Sequence, residues 1–152
     1  ANLAAAGSAI DVATLGEALR SMRTQKGLNG TTPLNVIPRF LVVPAALEVV
    51  ALKYVAEVNA SEAANVNPFQ RRLEVVVDPR FDAHDDEAWH VAADPEITPS
   101  IQHCYLEGQT GPEIIMEEGF EVEGTRWKCR LDFNAAVVSH EGLYKNSGAS
   151  AS

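Results

Sequence analysis

The sequence predicts an α+β fold: two helices with about six strands that do not alternate regularly along the chain. Three observations carry this. Leu15, Ala18, Leu19 and Met22 form one helical stripe, and Leu47, Val50, Ala51, Tyr54 and Val58 form a second. From Arg126 to Phe133, polar and apolar residues alternate strictly, as in a strand with one wet and one buried face. Short apolar runs bounded by Pro and Gly supply the other strands.

Residues 1–10 carry no charge, and 146–152 are a tail of small residues, so both ends read as mobile. Thr14-Leu15-Gly16-Glu17 has the spacing of a capping box. Arg20, Arg23 and Lys26 suit the negative end of a helix dipole, and Gly27 is a natural stop. The first helix is therefore expected over 14–26. Gly30, Pro33 and Pro38 mark a loop, and Phe40-Leu41-Val42-Val43 reads as a strand buried on both faces. Pro44 suits the first turn of a second helix over 44–58, ended by Asn59 or Ser61. Asn65 to Pro68 reads as a turn. Residues 73–78, 88–93, 101–106 and 125–133 read as strands, with a turn or exposed loop over 107–112. No internal repeat is visible.

A chain of 152 residues suits one domain and is long enough to bury roughly 70% of its unfolded surface. With 46% apolar and 22% charged residues, the composition is that of a soluble globular protein. The net charge of −9 disfavours a protein that grips nucleic acid, which needs a basic stripe. No run of 18 apolar residues occurs, so a membrane span is not expected. Cys104 and Cys129, the only cysteines, are spaced for neither a disulfide framework nor a zinc site. Cys129 on the apolar face of its strand reads as a small buried hydrophobe, and the pair points to a reducing, intracellular origin.

Candidate chemistry is thin. His84, Asp85 and Asp86, with Asp82 and Glu87 beside them, could bind a divalent ion, but a solvated acidic loop is the simpler reading. His103 and Cys104 are adjacent on one strand and point to opposite faces, so the histidine cannot readily activate the thiol, with or without Asp132. His90 reads as a satisfied, partly buried histidine, and His140-Glu141 as a surface pair. Arg71-Arg72 and the row Arg126, Lys128, Arg130 are basic clusters in an acidic chain, best explained by carboxylates of a neighbouring subunit. No catalytic, cofactor or metal residues are expected.

Pro38-Arg39-Phe40-Leu41-Val42-Val43-Pro44-Ala45-Ala46-Leu47-Glu48 resembles a segment of Mu-like phage major head subunits. Tyr105-Leu106-Glu107-Gly108-Gln109-Thr110-Gly111-Pro112-Glu113 is similar to a second. Leu73 to Asp78, Trp89, Gly119-Phe120, Gly124, Lys128, Arg130, Asp132-Phe133 and Gly142-Leu143-Tyr144-Lys145 follow the family's order, so the resemblance spans about residues 12–148. It implies the Hong Kong 97-type fold of tailed-phage major capsid proteins. Residues 11–99 would form an axial domain, two helices flanking a sheet, completed by 134–148. Residues 100–133 would supply peripheral-domain hairpin strands, with 1–10 and 149–152 as flexible ends. Nothing matches the family's N-terminal arm, extended loop or spine helix, so the chain is expected to be the C-terminal half of such a subunit.

The implied function is structural, not enzymatic. Copies would assemble into pentamers and hexamers of a phage or prophage head that encloses packaged DNA. Scaffold or portal proteins would be further partners, with no specific nucleic-acid binding, membrane or cofactor. Assembly would take place in the bacterial host cytoplasm, and the product would reside in the virion. Arg126, Lys128 and Arg130 on one edge, and Asp82, Asp85 and Asp86 on another, are the expected subunit contacts. A non-viral shell protein of the same fold, a metal-dependent hydrolase using His84, Asp85 and Asp86, and a head-assembly accessory protein are the alternatives.

Overall fold

A computed structural model describes residues 2–55, 72–119 and 123–149. The chain divides into two units, 1–100 with 139–152, and 101–138.

The first unit is built on a four-stranded sheet. Its strands are β1 (Pro38–Val43), β2 (Glu74–Val77), β3 (Trp89–Ala93) and β8 (Leu143–Asn146), in the order β2-β1-β3-β8. β1 and β2 run parallel, with Leu41 beside Val75, and the other pairs are antiparallel. Alternation sends Leu41, Val43, Trp89, Val91, Ala93 and Tyr144 into one core. Helix α1 (Val12–Thr24) brings Leu15, Ala18 and Met22 to it, and helix α2 (Glu48–Val55) brings Ala51. β1 is the inner strand expected from its apolar run, but Phe40 and Val42 on its second face are only half-buried.

Helix α1 starts earlier than Thr14. Asp11 is the cap: its Oδ1 accepts the Thr14 N–H at 2.7 Å, and Thr14 Oγ1 accepts the Asp11 N–H at 2.9 Å. The box thus has the expected spacing but sits three residues earlier, because Asp caps as well as Thr. The second helix is not uniform. Ala45–Leu47 form a 3-10 turn before the α-helical Glu48–Val55. The continuation to 58, the stop at Asn59 or Ser61, the turn Asn65 to Pro68, and Arg71 lie outside the described residues.

Among the described residues, segments 2–8 and 146–149 make specific contacts with the first unit. Lys145 N–H donates to Asn2 O at 2.8 Å and Ala4 N–H donates to Lys145 O at 2.9 Å, which lays the N-terminal segment along β8. Asn146 is only 3% exposed; its side chain bonds Ser8 Oγ and the Ser8 N–H, each at 2.9 Å. Trp89 Nε1 donates to Ser8 O at 2.9 Å. Gly148, at φ 78°, lies so close to the Glu87 backbone that a Cβ would clash. Small, uncharged residues here permit close backbone packing.

The second unit consists of two antiparallel ribbons. β4 (Ile101–Tyr105) pairs with β7 (Phe133–Val137), and β5 (Glu113–Glu118) pairs with β6 (Thr125–Arg130). The expected single strand 125–133 is therefore two, broken at Leu131-Asp132, and the unit runs on to Val138. Every residue of these four strands is exposed. Periodicity correctly assigned Trp127 and Cys129 to one face, but that face is not buried, since nothing among the described residues of the ribbon forms a second layer.

Candidate functional site

The acidic segment after β2 is a set of turns held by its own carboxylates. Asp78 accepts from the Arg80 guanidinium, at 2.6 Å for the shortest contact, and from the Arg80 backbone N–H at 3.0 Å, and these bonds hold its carboxyl pKa down at about 2. Asp82 faces inward to the second helix: Oδ2 accepts the Ala45 N–H at 2.9 Å and Oδ1 accepts the Ala46 N–H at 3.0 Å. Those donors open the 3-10 turn and would otherwise lack partners. Asp85 Oδ1 accepts from Glu87 N–H at 3.2 Å and Ala88 N–H at 3.1 Å. Asp82 and Asp85 are therefore committed to the fold, whereas Asp86 and His84 are exposed.

Among the described residues, no three His, Cys, Asp or Glu side chains are placed to hold a metal ion. His84, Asp85 and Asp86 are not brought together as such a set. His90 is not satisfied as expected: its Nδ1 is buried without a partner, and its ring stacks on Phe81 at 5.4 Å. Burial first, and the opposing Lys145 second, lower its pKa. His103 and Cys104 do point to opposite faces of β4. His103 stacks over Phe133 at 6.2 Å and meets Tyr105 edge-on at 5.7 Å, while Asp132 is bound by Arg130 at 2.8 Å. Cys104 and Cys129 are both exposed, which corrects the buried reading of Cys129.

The basic row lies on the β5–β6 ribbon. Arg126, Lys128 and Arg130 share one face of β6, opposite Glu117, Ile115 and Glu113 of β5. The other face carries Trp127 and Cys129 opposite Met116 and Ile114. Within the ribbon, the carboxylates opposite the basic row are Glu117 and Glu113. The sequence reading missed β5 altogether. Glu-Ile-Ile-Met-Glu-Glu does not alternate, but a β-branched pair closely followed by a clear strand is a hairpin signal.

A polar cleft in the first unit is lined by Asn2, Ser21, Thr24, Gln25, Lys26 and His140. It lies at the C-terminal end of α1, where the helix dipole opposes an anion. No helix among the described residues is long and apolar enough to cross a membrane. Exposed large apolar side chains are numerous on the ribbons, among them Ile114, Met116, Trp127 and Phe133.

No curated protein matches the chain. Among solved structures, a chain of the satellite phage P4 procapsid, in a structure that includes the size determination (Sid) protein, aligns at 10% identity and a TM-score of 0.46. The alignment covers 90% of this chain and 37% of that one, so the chain spans little more than a third of its length. The family model described as phage capsid protein matches residues 1–146. The chain belongs to the phage capsid protein family.

Proposed function

We propose that the chain is part of the major head subunit of a tailed phage or prophage, of Mu-like type and Hong Kong 97-type fold. Copies assemble into pentamers and hexamers that tile a shell around packaged DNA. Head-to-tail contacts between identical subunits close into rings in this way. The first unit corresponds to the axial domain, and the ribbons of 101–138 belong to the peripheral domain. The role is structural and places the chain in the virion.

The observation that carries this reading is the exposure of every residue in the four ribbon strands, large apolar side chains included. Two-stranded ribbons are marginal in water without further packing. Their Trp, Ile, Met, Phe and Val side chains fit a role in contact with other protein surface. Arg126, Lys128 and Arg130 are the proposed charged contacts. Asp82 and Asp85 drop out because their carboxylates hold backbone, and Asp86 stays as an exposed candidate.

Light scattering after size-exclusion chromatography, with electron microscopy of the same fractions, tests the proposal on the protein expressed in full. Rings or shells are expected. A monomer across the micromolar range, under conditions where the protein is folded, would sink it.

A further inference from the structure

The two strands of the β5–β6 ribbon carry opposite charge. β5 holds Glu113, Glu117 and Glu118 with no base, and β6 holds Arg126, Lys128 and Arg130 with no acid. The sheet they form has two strands, so among the described residues the outer edge of each is unpaired. An unpaired edge is a template for strand addition, and natural proteins commonly place charge there to prevent it. Charge of one sign on both edges would deter every such pairing. Opposite signs deter only like edges.

The consequences can be enumerated. A two-fold pairing of β6 with β6 sets Arg126, Lys128 and Arg130 against the same row. Pairing β5 with β5 sets glutamates against glutamates. Both symmetric arrangements are repulsive. Addition of β6 from one copy to the outer edge of β5 of another sets Arg126 and Arg130 beside Glu117 and Glu113. This repeats the register that exists within the ribbon. It also continues the apolar row, with Trp127 and Cys129 of one copy beside Met116 and Ile114 of the next.

We infer that the β5–β6 ribbon docks on a second copy of this chain, β6 edge to β5 edge, and that its charge pattern excludes the two-fold alternatives. The contact is heterologous, so it propagates around a ring or along a row and does not close a dimer. It rests on the reading that the protein assembles with itself, and it names the surface and polarity of one contact.

A charge swap tests it in the protein expressed in full. The swapped variant carries Glu113→Lys, Glu117→Lys, Arg126→Glu and Arg130→Glu, with Asp132→Arg to keep the local ion pair of residue 130. Opposite charges still face each other across the ribbon, so the variant is expected to assemble with itself. Beside wild type, each of its edges meets a like-charged edge. Differently tagged wild-type and swapped chains, co-expressed and counted by mass spectrometry in the assemblies, should mix at least about tenfold less than statistically. Two half-swaps keep the test sharp if the full variant folds poorly. Arg126→Glu/Arg130→Glu alone and Glu113→Lys/Glu117→Lys alone should each fail to assemble, and the two together should recover it.

Free mixing of wild-type and swapped chains in intact assemblies overturns this inference and leaves the proposed function standing. So does a full swap that will not assemble together with half-swaps that do not rescue each other. A wild-type protein that remains monomeric overturns both.

Discussion

The two units solve different problems with similar residues, and the two tryptophans show it. Trp89 is fully buried, tilted against Tyr144 at 6.2 Å, with its indole N–H on Ser8 O. Trp127 has 69% of its surface exposed in a ribbon with no covering layer. Alternation along each strand is equally regular. In the first unit helices α1 and α2 lie over the apolar face of the sheet; among the described residues of the ribbons no helix of the same unit does. The first unit is held together by burial. The ribbons carry exposed apolar surface that contributes little to their own stability, as the proposed assembly role requires.

The largest expected effects break or sustain that contrast directly. Trp89→Ala removes the biggest side chain of the core and leaves the Ser8 carbonyl without its donor. It should destabilise the first unit by about 3–5 kcal/mol in chemical denaturation. Trp127→Ala should change the same unfolding free energy by no more than about 0.5 kcal/mol, yet lower the yield of assembled protein. Equal losses of stability from the two substitutions would show that the ribbon face is a core after all.

A smaller effect separates the acids of the 82–87 segment, which look alike in sequence. Asp82→Ala deprives the Ala45 and Ala46 N–H groups of their acceptor and should cost about 1 kcal/mol. Asp86→Ala, at an exposed carboxylate, should leave folding within about 0.5 kcal/mol. If Asp86→Ala proves the more damaging to stability, the division between fold-holding and free acids is wrong.

The same contrast explains what could be read from the sequence. Positions of strands and helices followed from periodicity, and the pairing of apolar residues on faces followed with them: Leu15, Ala18 and Met22, or Trp127 and Cys129. Whether a face is covered depends on a second layer, which no local pattern reports. Hence Trp89 and Trp127 looked alike, and Cys129 was read as buried. β5 escaped because a half-apolar, non-alternating run suits a ribbon with both faces wet, where neither face selects for period two. Asn146 escaped because its role is a long-range bond to Ser8. The basic row was legible, but its facing acids were not, since register across a hairpin depends on where β5 begins. Family membership came through ordered short motifs, which do not require knowing what covers what.

The smallest effect sits inside the better-packed unit. Burial and Lys145 depress the pKa of His90 below its ordinary 6.5, against a weaker opposing pull from Asp85. A depressed histidine pKa means that the unfolded chain binds the proton more readily. Stability from this group is therefore fully present above pH 6.5 and falls as pH drops below it, levelling off once pH is under the folded value. The buried Nδ1 adds to the effect, because protonation would create a donor there with nothing to receive it. The unfolding free energy of the first unit should decline from pH 7 towards pH 5, before the carboxylates with lowered pKa values, Asp11, Asp78 and Asp94, begin to titrate. His90→Phe, which keeps the stack on Phe81, should flatten that decline while leaving the slope below pH 4 in place. Denaturation midpoints measured at half-unit steps of pH would show it. An unchanged slope in the variant would mean that the ring does not sit neutral between Phe81 and Lys145, and that packing in this unit is looser than its buried core implies.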